Sequence, residues 1–108
     1  MSGSDRSTRA SRVKTALATL GTSKRSIVKN LNKLGLKGVR GDCRSCPVAK
    51  FLVNRFKKAV FVAVDNHTVE VEFLNVVVEI NTPKVLGGFI DDFDSGKFPR
   101  LEILDSRE

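Results

Sequence analysis

From Ala59 the hydrophobic pattern of this chain turns strand-like, with an unbroken apolar run at Val60–Val64 and alternation over Thr68–Phe73, and on both sides of the Val60–Ile80 stretch the apolar residues fall at every third or fourth position. Period two marks a half-buried strand, and a period near 3.6 marks an amphipathic helix. Helical segments, then consecutive strands, then a last helical segment describe an α+β fold, not an alternating α/β one. With 108 residues the chain is one domain, or one domain with a tail. That length excludes a doubly wound dinucleotide fold or a barrel enzyme. No apolar run approaches the roughly 20 residues a bilayer requires. Met1 to Lys14 has no apolar stretch after its charges and so does not read as a secretory signal. The expected location is the cytoplasm.

The elements follow in order. Val13, Ala16, Leu17 and Leu20 recur at helical spacing, and Gly21 stops the run. Thr22 or Ser23 can cap a second helix whose apolar stripe is Ile27, Val28, Leu31 and Leu34 and which Gly35 ends. Its far face carries Arg25, Lys29, Asn32 and Lys33. Cys46-Pro47 opens a third helix, because proline at the first helical position gives up an N–H that has no partner anyway. Its inward stripe is Val48, Phe51, Leu52 and Phe56, and Lys50, Asn54, Lys57 and Lys58 form a second basic face. Val60 to Val64, Thr68 to Phe73 and Val76 to Ile80, separated by turns at Asp65-Asn66-His67 and Leu74-Asn75, predict a three-stranded antiparallel β-meander with one solvated face. Pro83 starts a C-terminal helix packed on the sheet, with Val85, Leu86, Phe89, Ile90 and Phe93 as its buried stripe. Gly87-Gly88 costs helix propensity but suits close packing. Gly96 and Pro99 end this helix, and Leu101 to Leu104 adds a short strand or simply docks.

Charge divides the chain in two. Residues 1–58 carry 15 Lys or Arg against Asp5 and Asp42, a balance of +13, whereas residues 59–108 carry 4 basic and 10 acidic residues, a balance of −6; the net charge is +7. Such asymmetry points to an anionic partner on the basic side, most often nucleic acid. Residues 1–11 hold too few apolar side chains to offset their ordering entropy and are expected to be a mobile basic arm, with the compact domain at 12–105. Arg6, Arg9 and Arg12 would let this arm lie along phosphates or in a minor groove.

Four local patterns bear on chemistry. Leu20-Gly21-Thr22-Ser23-Lys24-Arg25-Ser26-Ile27-Val28-Lys29-Asn30-Leu31 resembles helix-turn-helix repressors: a glycine for the sharp turn, a cap, and an Ile six positions after the glycine to lock the second helix on the first. That resemblance implies contacts to DNA from Ser23, Lys24, Arg25, Lys29 and Asn30. Leu17 stands where the family has a small alanine, and Thr22 where it has an apolar residue. Cys43 and Cys46 form C-x-x-C, but two Cys and one His, His67, fall short of the four ligands of a structural zinc site. A thiol switch would need Cys46 activated at its helix N-terminus; otherwise the pair are plain reduced thiols. Gly38-Val39-Arg40-Gly41-Asp42, leading to that same N-terminus and flanked by Lys37 and Arg44, could cradle an anion, although its order is not that of a P-loop. Asp91, Asp92 and Asp94 cluster without the spacing of a calcium loop. The chain has no Tyr or Trp, and most of its seven Phe lie on core stripes, which favours duplex or backbone binding over base stacking.

The stretch from Leu34 to Leu52 contains Gly35-Leu36-Lys37-Gly38-Val39-Arg40 and then Cys46-Pro47-Val48-Ala49-Lys50-Phe51-Leu52. It resembles a motif of small proteins of actinobacteria and their phages, G-[IVL]-x-G-x-R followed by C-P-[IVL]-A-x-[YF]-[LI]. In those proteins a short sheet and a final helix ending near F-D-x-G-x-[YF]-P follow, matched here by Phe93-Asp94-Ser95-Gly96-Lys97-Phe98-Pro99. The resemblance covers roughly Ser26 to Leu104 and implies one compact domain but no particular activity.

Taken from the residues, the expected function is that of a small non-enzymatic regulatory protein that binds nucleic acid, duplex DNA above all, without cofactor or metal and without a membrane. The residues expected to meet it are Arg9, Arg12, Ser23, Lys24, Arg25, Lys29, Asn30, Lys33, Lys37, Arg40 and Arg44. The alternative is a phage-type interaction module or inhibitor that docks on a host protein.

Overall fold

The structure is a computed structural model. It describes residues 2–103, with side chains from Thr8 onward. The order of elements is α1 (Ser2–Leu20), α2 (Lys24–Leu34), α3 (Pro47–Arg55), β1 (Ala59–Val64), β2 (Thr68–Phe73), β3 (Val77–Asn81), α4 (Lys84–Asp94) and a 3-10 turn at Pro99–Leu101. This is the α+β architecture that the change of period predicts. The strands form an antiparallel meander in the order β1-β2-β3. Val62 pairs with Val71 and Val64 with Val69, and across the next ladder Val69 faces Ile80 and Val71 faces Val78. All of these are buried.

One face of the sheet therefore enters the core, which is shared with Val13, Ala16, Leu17 and Leu20 of α1, Ile27 and Leu31 of α2, and Val48, Ala49 and Leu52 of α3. On the other face Phe61 lies beside Glu72 and Val77, and Ala63 beside Glu70 and Glu79. Between Ala59 and Phe61 the register shifts, leaving Val60 on a bulge and exposed. A bulge on an edge strand kinks it and hinders pairing with another chain.

The C-terminal helix packs on the sheet at its β1–β2 end, and on α2. The glycine pair makes this possible. A Cβ on Gly87 would come within 2.9 Å of the Asn66 carbonyl oxygen, and one on Gly88 within 2.9 Å of the Lys24 side chain. Leu86, Phe89, Ile90 and Phe93 are buried, but Val85, expected on the same stripe, is exposed. It lies in the first turn, beyond the edge of the sheet's cover, at the rim of a groove with Leu17, Ala18 and Pro83.

The backbone is helical from Ser2, with no boundary at the residue 11–12 junction where the sequence suggests one. Ala10 packs against the core, and the Arg9 guanidinium lies 4.4 Å from the centroid of the Phe73 ring. These contacts come from the sheet and are invisible to a local reading of the segment. Arg6 and Leu104 fall outside the residues whose side chains are described. Among the described residues no helix is long and apolar enough to cross a membrane.

Candidate nucleic-acid interface

The second helix is fixed at both ends. Ser23 caps it: its hydroxyl accepts from the Ser26 N–H while the Ser26 hydroxyl accepts from the Ser23 N–H, each at 3.1 Å. Gly35 closes it in the left-handed region, with its N–H donated to Asn32 and Leu31 carbonyls. Ile27, six positions after Gly21, is fully buried, as the turn pattern requires. The Asn30 amide donates to the Leu20 carbonyl and so satisfies an orphan acceptor at the end of α1. The Lys24 ammonium lies 2.8 Å from Asp92, which also meets Lys97 at 3.3 Å. Lys24, first on its own element, pulls the Asp92 carboxyl below its ordinary value.

Three of the residues expected to read DNA therefore hold the fold together: Ser23 as cap, Lys24 as ion-pair partner and Asn30 as latch. The spacing Arg25, Lys29, Asn32, Lys33 remains on the exposed face of α2, and among the described residues its cations have no partner in the chain. This face continues past the end of the helix. Asn32 shares a groove with Lys37, Pro99, Arg100 and Glu102. Arg100, brought there by the 3-10 turn, carries no signal in the sequence, because it lies far along the chain in the acidic half.

The glycine loop is not an open anion nest. The Gly41 N–H donates to the Asp94 carboxylate at 2.9 Å, and the Arg44 N–H to Asp42 at 3.0 Å. The Gly38 N–H goes to the Leu101 carbonyl and the Val39 N–H to the Ser45 carbonyl. Gly38 also pairs in parallel with Glu102. The chain supplies its own acceptors, two carboxylates and two carbonyls, so these N–H groups are not left free to cradle an anion. Arg40 lies 3.1 Å from Glu102, and the Arg44 guanidinium sits over the Phe61 ring at 4.7 Å. Residues of the Gly38-Val39-Arg40-Gly41 stretch thus meet Asp94, Leu101 and Glu102, joining the central loop to the end of the chain.

Cys46 caps α3, its sulfur accepting from the Ala49 N–H at 3.4 Å. Burial pushes its thiol up to about 11, outweighing the lowering by the Ala49 and Val48 N–H groups. The activation that a thiol switch would need at this helix N-terminus is thus outweighed: desolvation of the thiolate is the larger effect. Cys43 is exposed, and neither cysteine is in a disulfide. Among the described residues no three His, Cys, Asp or Glu converge as metal ligands.

The acidic side chains are used unevenly. Asp42, Asp65, Asp91, Asp92, Asp94 and Glu102 all accept bonds inside the molecule. Glu70, Glu72 and Glu79 stand together on the open face of the sheet. Arg12 on α1, Arg25, Lys29 and Lys33 on α2, and Lys37 just past the end of α2 are exposed and, among the described residues, form no ion pair. A further cation, Arg55, shares a groove with Arg12 between α1 and the end of α3. Sequence periodicity assigns Arg55 to no face, because it is the last residue of its helix.

No protein-family model, no curated protein and no solved structure matches this chain.

Proposed function

We propose that the protein is a non-enzymatic, regulatory nucleic-acid-binding protein that engages duplex DNA through the basic side of its helical layer. One observation carries this reading: the carboxylates of the loops and of α4 are spent on internal contacts, while Arg25, Lys29 and Lys33 on α2, Lys37 just past its end and Arg12 on α1 form no ion pair among the described residues. Unmatched cations on a rigid helix gain by displacing condensed counterions from a phosphate backbone. The α2 face is the element laid against the duplex. Phosphate contact, not base stacking, is the source of affinity, since Phe89 and Phe93 are buried and Phe56 packs edge-on against Phe73.

Fluorescence anisotropy of a labelled mixed-sequence duplex, titrated between about 50 and 200 mM salt, tests the reading. Log K should fall linearly with log salt. Lys29→Ala with Lys33→Ala should reduce that slope by about 2, close to 0.9 for each phosphate contact removed. An unchanged slope would remove α2 from the interface, and absence of binding at the lower salt would remove nucleic acid as the partner.

A second reading, an interaction module that inhibits a host protein, draws on the sheet. Glu70 and Glu79 face each other on its open side, next to Phe61, Ala63 and Val77. A basic protein surface would fit there. Stoichiometric recovery of one partner from nuclease-treated lysate, lost on Glu70→Lys with Glu79→Lys, would favour it over DNA.

A further inference from the structure

From the groove between α1 and the C-terminal end of α3 we infer a dedicated phosphate-binding site, in which Arg12 and Arg55 clamp the anion and the hydroxyls of Thr8, Ser11 and Thr15 complete its hydrogen bonds. The groove has a volume of about 600 Å³ and is lined by those five residues and Phe56. Thr8, Ser11, Arg12 and Thr15 recur at i, i+3, i+4 and i+7, so helix geometry stacks them on one wall. Arg55 approaches from the other wall, at the end of a helix distant in sequence. Among the described residues no carboxylate lines the groove. Among the described residues neither arginine has a partner in the chain. Two guanidinium groups facing one space repel each other until an anion lies between them, and their planar donor forks match phosphate oxygens.

The surroundings add positive potential and rigidity. The Phe56 ring stands edge-on to Phe73 at 6.2 Å, and the Arg9 guanidinium covers Phe73 at 4.4 Å. Arg9 is thereby held beside the groove floor. Lys57 and Lys58, both exposed, follow Phe56 directly. The volume falls in the range of small-ligand sites and exceeds what a single free phosphate fills, so a phosphate ester with part of its alcohol is the matching class of ligand. Within the function proposed above, on which this assignment of source rests, that ester is a backbone phosphodiester of the duplex, engaged outside the α2 face. A free phosphorylated small molecule presents the same chemistry.

The test uses the full chain and the variant Arg12→Gln with Arg55→Gln. Both positions are exposed and glutamine is a comparable helix former, so the fold is kept. The arginine Nε–H resonances are followed by NMR during titration with inorganic pyrophosphate, and duplex binding is measured in parallel by anisotropy. Saturable shifts confined to Arg12, Arg55 and the amides of Thr8, Ser11 and Thr15, absent in the variant, support the site. A duplex salt slope lowered by about 2 in the same variant identifies the ligand as backbone phosphate. Saturable pyrophosphate binding without duplex binding keeps the site, assigns it to a small phosphorylated compound, and sinks the nucleic-acid reading alone. Shifts spread evenly over all exposed arginines, or a variant that binds pyrophosphate like the parent, would overturn the site while leaving the α2 interface to its own test.

Discussion

Gly38 is the position where a single methyl group should do most damage. A Cβ built there meets the Ser45 carbonyl oxygen, the Pro47 nitrogen at 2.6 Å and the Cys46 carbonyl carbon at 2.7 Å. All three are backbone atoms at the start of α3, so no rotamer change relieves the overlap. The loop must move away from α3 or from the C-terminal segment. The first movement strains the Val39 N–H to Ser45 bond, 3.0 Å long; the second strains Gly38 N–H to Leu101 at 2.8 Å and Ile103 N–H to Gly38 at 3.0 Å. Overpacking costs about 1–3 kcal/mol, and each net hydrogen bond lost about 0.5–1.5 kcal/mol. With two bonds gone, Gly38→Ala should destabilise by about 2–6 kcal/mol, out of the roughly 5–15 kcal/mol typical of a whole domain. The melting temperature followed by circular dichroism should fall by at least about 8 °C. Gly41→Ala is the control. Gly41 has φ +74° with nothing within 4 Å of the added Cβ, so only left-handed strain acts. That costs about 1–2 kcal/mol. A Gly38→Ala protein melting within about 5 °C of the parent, or less perturbed than Gly41→Ala, would refute the close-approach argument.

The remaining predictions concern titration and reactivity. A maleimide at mildly alkaline pH should label Cys43 readily and leave Cys46 unmodified in the folded protein, since Cys46 is buried with its thiol near 11; mass spectrometry of digested protein reads the site. Because that value is raised above the ordinary 9.0, the unfolded chain loses the proton first. Stability should therefore decline as pH rises through the window from 9.0 to about 11, and Cys46→Ala should show a shallower decline in urea melts over that window. Asp92 has the opposite sign. Its carboxyl is held below 3.8 by Lys24 first and Lys97 after burial is set against them, so its contribution is present above that pH and is lost as pH falls through the lowered folded value. Asp92→Asn should flatten this acid limb, whereas an acid limb identical to the parent's would show that the Lys24 pair is not formed in solution.

Much of the architecture was legible because its causes are local. The hydrophobic period of Val69, Val71 and Phe73 depends only on strand geometry, and Ser23, Gly35 and Pro47 end or begin helices through their own backbone chemistry. The candidate interface was legible in part for the same reason: Arg25, Lys29 and Lys33 share a face because a helix repeats every 3.6 residues. What the charges do once placed is another matter. Lys24 reads as a DNA contact until α4 brings Asp92 against it from 68 residues away. The glycine loop leaves an anion nest open as an option until Asp94 arrives to fill it, and the C-x-x-C spacing leaves a thiol switch open until the core closes over Cys46. Arg55 and Arg100 join basic surfaces that no periodicity assigns to them. By itself, then, the sequence determined the elements, their order and the division of charge between the two halves, all set by torsional preference and by which face must leave water. Only the tertiary structure decided which cations are neutralised and which stay unpaired, because an ion pair needs contact within a few ångströms, and that distance is decided by packing across the whole chain.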